Sequence, residues 1–150
     1  MTRESPPLPR LRFKPASSAI VEKDGRYLLV RRANPPSADM YAFPGGRGEP
    51  GETAAETAIR ELAEETGIRA TEPVLFATYE LAAPAGPNGP VGGFFLSVFT
   101  VRADETSFAA AAAADDAAEM GWFTIEEALR LNAPESVYEC LRRLDAETGR

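Results

Sequence analysis

The stretch Gly46 to Ile68, GRGEPGETAAETAIRELAEETGI, constrains the chain most, because a glycine-rich turn feeds a helix whose carboxylates crowd one face. Glu61, Glu64 and Glu65 stand at i, i+3 and i+4. At about 100° per residue they project from roughly a third of the helix circumference. Like charges within one turn repel, so the face calls for a neutralising partner. Oxygen ligands in such number suit a hard divalent cation, with room left for water and phosphate oxygens. Ala55, Ala58, Ile59 and Leu62 form an apolar stripe on the other side, which predicts packing against a sheet. Arg60 lies beside the acidic face, one turn from Glu56 and from Glu64. Thr53 with Glu56 reads as a capping box, and Gly67 falls where a glycine stops a helix. Upstream, Gly45, Gly46, Gly48 and Gly51 allow a tight loop and close approach of backbone to a phosphate or metal.

Composition narrows the chemistry. The chain of 150 residues has no histidine, which removes the usual general base, the usual triads and the usual zinc sites. Any general base must therefore be a carboxylate or depend on a metal ion. A net charge of −7 argues against nucleic acid or an anionic membrane as the main partner. A polyanionic substrate then needs metal ions to approach. The single cysteine, Cys140, cannot form an internal disulfide and shares an apolar helical stripe with Val137, Leu141 and Leu144, so packing is its expected role. With no long apolar run and no hydrophobic leader, a cytoplasmic protein without a membrane partner is expected.

Along the chain, residues 1–14 are proline-rich and basic without apolar periodicity, and read as a flexible N-terminal arm ahead of a single domain over 15–150. The PPLPR run within the arm has the composition of a polyproline ligand, but a plain tail is the favoured reading. Ala16 to Lys23 and Arg26 to Arg32 read as adjacent antiparallel strands joined by an Asp24-Gly25 hairpin turn. Arg31 and Arg32 end the second strand; successive residues point oppositely, so one of them is expected to face a phosphate. Pro35-Pro36 marks a loop leading to a short extended piece, Met40 to Phe43, where Tyr41 is the aromatic placed to touch a ligand or to pack. Val74 to Leu81 and Phe94 to Arg102 read as strands, the second nearly all apolar and therefore central. The Pro/Gly-rich Ala82 to Gly93 between them is a substrate lip or a bland connection. Ser107 to Ala118, with its alanine run, reads as a loop with helical turns; Glu119 to Phe123 as a short strand; Thr124 with Glu127 as a capping box; and Pro134 as the start of a last amphipathic helix to Glu147.

The central stretch as a whole resembles the Nudix box, G-x5-E-x7-R-E-U-x-E-E-x-G-U, in which U is a bulky aliphatic residue. Gly46, Glu52, Arg60-Glu61-Leu62, Glu64-Glu65 and Gly67-Ile68 fill every specified position. The resemblance implies an α/β fold, a Nudix-type α/β/α sandwich around a mixed β-sheet. It implies a Mg²⁺-dependent hydrolase, with Mn²⁺ as a substitute, that cuts a nucleoside diphosphate linked to another moiety. By the same resemblance Glu61, Glu64 and Glu65 are metal ligands with the Gly45 carbonyl a further one, and Glu52 supports Arg60 and the loop. Arg60 orients a neighbouring carboxylate. Gly46 and Arg47, with Arg31, Arg32 and Tyr41, are expected on the substrate side. Many family members carry an aliphatic residue where Gly48 stands, so the loop is expected to pack differently here.

Family members often bring a further acid from a loop after the central strands. Asp115, Asp116 and Glu119 are the candidates, and Asp116, six residues before Trp122, has the matching spacing and a segment expected to close over substrate. Glu61 or Glu65 is the alternative base. A proline about sixteen residues after the box, here Pro84, favours ADP-ribose or a related dinucleotide as substrate by resemblance. Hydrolysis of non-standard nucleoside triphosphates is the alternative, followed by a non-catalytic nucleotide-binding module and, last, isomerase chemistry on an isoprenoid diphosphate. The oligomeric state, including a homodimer, stays open.

Overall fold

The computed structural model describes residues 13–33, 38–82 and 92–148. Most of the arm, Pro35-Pro36 and most of the Ala82 to Gly93 loop with Pro84 lie outside the described residues. Phe13 and Lys14, assigned to the arm from sequence, belong to the first strand, β1 (Phe13–Ile20).

The chain does not continue from β1 into one long hairpin. It breaks at Val21 and re-forms as β2 (Glu22–Lys23), which pairs with β3 (Arg26–Arg32) through the expected turn. Asp24 and Gly25 both take positive φ, 52° and 77°, as a two-residue hairpin turn that follows the strand twist requires. The break transfers the chain between two sheets. The first has the order β5 (Gly45–Arg47), β1, β7 (Gly93–Ala103), β6 (Ala70–Ala82); β1 and β7 run parallel and the other pairs antiparallel, so the sheet is mixed. β7 has a partner on each side, the central position its apolar sequence predicted. In the second sheet β3 pairs antiparallel with β2, with β4 (Tyr41–Ala42) and with β8 (Ala117–Phe123).

Both sheets bury side chains on two faces. Neighbouring residues therefore enter opposite cores, as the two-residue period of a strand dictates. Ala19, Leu28 and Phe99 pack on one side with Ala58 and Leu62 of helix α1 (Ala54–Thr66). Ile20, Leu29 and Val98 pack on the other side with Ala128 of α2 (Ile125–Ala128) and with Val137, Cys140, Leu141 and Leu144 of α3 (Glu135–Glu147). Leu62 is fully buried, and burial of a leucine side chain contributes about 1.5–3 kcal/mol. These layers form the expected α/β/α sandwich.

Helix α1 has the ends its sequence specifies. Thr53 Oγ1 accepts the Glu56 amide while the Glu56 carboxylate accepts the Thr53 amide, and Gly67 closes the helix at φ 80° with its N–H on the Ala63 carbonyl. The segment beyond β7 has the helical turn expected of it. It opens with a 3-10 helix (Glu105–Ala110), and then Ala112 and Ala114 donate their amides to the carbonyls of Thr66 and Glu65. Those carbonyls belong to the last turn of α1, which has no helical partners for them, and small side chains let a second backbone come this close.

Candidate active site

Glycine makes the junction between β1, β5 and α1 feasible. A Cβ on Gly45 would overlap the backbone of Ser17 and Ser18 on β1, and one on Gly46 would overlap the Glu61 carboxylate. The box glycines thus bring a strand edge directly against the acidic helix face. Gly48, despite lacking the aliphatic side chain common in the family, holds the loop through its amide, which donates to the Pro15 carbonyl at 2.9 Å.

Arg60 ties this loop to the helix. Its Nε donates to Glu52 Oε2 at 2.7 Å, one terminal nitrogen to Glu52 Oε1 at 3.0 Å and to the Arg47 carbonyl at 2.9 Å, and the other to Glu64 Oε1 at 2.9 Å. Of the two partners one turn away, it takes Glu64; Glu56 is occupied by the capping box. Glu52 also accepts from Thr57 Oγ1 at 2.6 Å and from the Glu49 amide. Hydrogen bonds from Arg60, then Thr57 and Glu49, hold the Glu52 carboxyl down to about 2, and the same partner raises the Arg60 pKa.

The three helix carboxylates have different surroundings. Glu65 is buried, at 2% exposure, with Oε1 accepting the Gly45 amide at 3.1 Å; burial pushes its carboxyl up to about 7 against that hydrogen bond, and the Glu61 and Asp116 charges add to the rise. Glu61 is half-buried and also raised, chiefly by burial, with Glu64 and Asp116 contributing against the pull of Arg60. Glu64 is exposed and faces Arg60.

Glu61 and Asp116 line a cavity of about 630 Å³ together with Arg32, Gly45, Gly46 and Arg47. Apolar residues line it as well: Phe43, Leu81, Phe94, Leu96, Val98, Val137 and Cys140. Phe94, Leu96 and Val98 alternate along β7, so one face of the central strand forms this wall.

Several candidates from sequence separate here. Arg32 faces the cavity, whereas Arg31 lies outside its lining, with Nη1 on Asp39 at 2.8 Å and Nε on Glu119 at 3.1 Å. Glu119 raises the Arg31 pKa. Tyr41, cross-strand from Arg31, is also outside the lining and packs edge-on against Phe123. Asp115 is exposed at φ 53°. The segment bearing Asp116 is pinned, contrary to the expectation of a closing loop: besides the two amides on α1, Ala117 donates to Ala114 and Ala33 donates to the Asp116 carbonyl. Reasoning from sequence missed the apolar wall, because its residues come from just after β4, from β6, from β7 and from α3, and carry no motif. It also missed that Cys140, in addition to packing, borders the cavity, with Sγ 3.4 Å from the Tyr79 hydroxyl.

Among the described residues no group of three or more carboxylate or cysteine side chains forms a ready-made cation cage. The donors still fit a hard divalent ion in kind. Glu61 and Glu65 are oxygen donors whose negative charge is disfavoured by burial and by neighbouring carboxylates, and a cation stabilises such charge.

The NUDIX domain model matches residues 12–144, and the chain belongs to the Nudix hydrolase family. An ADP-ribose pyrophosphatase of Methanocaldococcus jannaschii is 32% identical over 124 residues, 81% of this chain and 69% of that protein. The MutT NUDIX hydrolase from Burkholderia pseudomallei shares the fold with a TM-score of 0.73 at 20% identity, over 87% of this chain and 97% of that one. A bifunctional NMN adenylyltransferase/ADP ribose pyrophosphatase from Francisella tularensis, solved with AMP and a Mn ion, gives 0.63 at 24% identity over 94% of this chain and 43% of its own. Among the described residues no helix is long and apolar enough to cross a membrane.

Proposed function

We propose that this Nudix hydrolase is a divalent-metal-dependent pyrophosphohydrolase acting on a nucleoside diphosphate linked to another moiety, with ADP-ribose-like substrates favoured. The observation that carries the reading is the mixed lining of the cavity. Acidic Glu61 and Asp116, basic Arg32 and Arg47, and an apolar face of β7 suited to a base border the same space. The ADP-ribose pyrophosphatase relative supports the substrate class, and the Mn ion in the Francisella protein supports the metal.

Glu61 and Glu65, with Glu64 and the Gly45 carbonyl, would hold Mg²⁺ or Mn²⁺. When bound, such an ion supplies charge neutralisation and polarisation at a phosphoryl group. The chain's own side chains do the remainder. Arg32 and Arg47 attract the phosphate oxygens. Arg60 fixes the loop against the helix, so that Gly46 and Glu61 keep their contact. Water attacks phosphorus, the bridging oxygen leaves with the bonding pair, and a carboxylate takes the proton of water. Asp116 is assigned that proton, with Glu61 or Glu65 the alternative. A small-molecule substrate and a cytoplasmic setting complete the reading, the buried lone Cys140 being suited to a reducing compartment.

Product release from a panel of ADP-ribose, dinucleotide diphosphates and non-standard nucleoside triphosphates, with Mg²⁺, Mn²⁺ or excess chelator, tests this. Turnover should require metal, and Glu61→Gln and Glu65→Gln should each lower kcat by orders of magnitude in folded protein. Full activity in chelator or in both variants refutes the reading. Preference for triphosphates would shift it to the housecleaning alternative.

A further inference from the structure

We propose that Phe94 is the platform on which the planar base of the substrate stacks, and that Arg47 covers its ring until base and phosphate together separate the two side chains. The inference rests on the pyrophosphohydrolase reading and adds to it a specificity-determining residue. Phe94 begins the cavity face of β7, opposite Leu81 on β6, which also lines the cavity. The Arg47 guanidinium lies 5.3 Å from the centre of the Phe94 ring, a cation–π contact. A base between two flat groups requires about 7 Å, two van der Waals layers, so it cannot be inserted and must displace the guanidinium.

Arg47 is built to be displaced. Its backbone is fixed, because Arg47 pairs with Ala16 on β1 and its carbonyl accepts from Arg60 at 2.9 Å. Its side chain is exposed. It also follows Gly46, whose Cα abuts the Glu61 carboxylate, so the freed guanidinium has the phosphate end within its compass. A charge-assisted contact to phosphate is stronger than an exposed cation–π contact. A nucleotide therefore replaces one contact with two, base on Phe94 and phosphate on Arg47. A free diphosphate gains one while losing one, and a free nucleoside gains only the ring.

The experiment is isothermal titration, with Mg²⁺ present, of α,β-methylene-ADP and of methylenediphosphonate, the same head without the nucleoside; neither is cleaved. Phe94→Ala and Phe94→Leu should weaken the nucleotide by about 10–100-fold, the worth of one stacked base. Neither should weaken the diphosphonate, which should bind up to about fivefold tighter once Arg47 has no ring to leave, and Phe94→Trp should bind the nucleotide like the native protein. Phe94→Leu keeps apolar bulk, so its behaving like alanine separates stacking from packing. Arg47→Ala should weaken both probes. Equal loss of both probes in the Phe94 variants, undiminished nucleotide binding in them, native protein that binds neither probe, or an Arg47→Ala variant unchanged toward the diphosphonate overturns the proposal. Binding needs no turnover, so failure of the hydrolysis panel with Phe94-dependent binding retires the enzymatic reading alone.

Discussion

Replacing Gly46 by alanine tests whether the contact between β5 and α1 serves chemistry or only packing. Gly46 lies in a strand without positive φ, so a methyl group strains no backbone there. The added Cβ falls inside contact distance of both Glu61 carboxylate oxygens and of the carbon between them. Restoring ordinary separation moves the carboxylate by about 1 Å, and a misplacement of that size in a catalytic site costs on the order of 10²-fold. The moving atoms are the far end of a flexible side chain, so thermal or urea unfolding should shift by no more than about 0.5 kcal/mol, as for a surface substitution. Gly45→Ala is the contrasting control. Its Cβ meets the Ser17 carbonyl and the Ser18 Cα, so β1 and β5 must part, at about 1–3 kcal/mol for overpacking. Steady-state kcat at saturating metal, measured beside unfolding midpoints, should show Gly46→Ala slowed on the order of 10²-fold but stable and Gly45→Ala destabilised. A Gly46→Ala enzyme with native kcat, or one as unstable as Gly45→Ala, refutes the argument that glycine is required there to leave Glu61 in place.

Two further outcomes are expected. Glu52 has a folded-state pKa near 2, below the ordinary carboxylate value, so its stabilisation is present above about pH 4.5 and is lost as pH falls toward 2; urea midpoints of native and Glu52→Gln protein should converge across that window, and parallel curves would remove Glu52 as the acid-sensitive link. Asp116→Asn should lower kcat by about 10²-fold with little change in KM, the usual effect of removing a general base; native kcat in that variant moves the role to Glu61 or Glu65.

Local rules account for what was legible in the sequence. The helix face with Glu61, Glu64 and Glu65, its capping box, its glycine stop and the Asp24-Gly25 turn all depend on residues a few positions apart, whose geometry the backbone repeats in any context. The same locality makes Glu56 and Glu64 the candidate partners for Arg60, since residues four apart on a helix are neighbours, and the spacing of the box points to the family.

What only the tertiary structure decided involves distance along the chain. Arg31 and Arg32 are indistinguishable in sequence; Glu119 on β8 and Asp39 beyond the strand claim the first, and the second is left to face the cavity. Nothing near the alanine run announces that Ala112 and Ala114 will meet the carbonyls of Thr66 and Glu65, because the pairing depends on how β7 and β8 return the chain to α1. Phe94 looks like any apolar strand residue until β5 places Arg47 over its ring. A strand dictates which side chains share a face, but which face meets charge and which meets a cavity is settled by the elements packed against it.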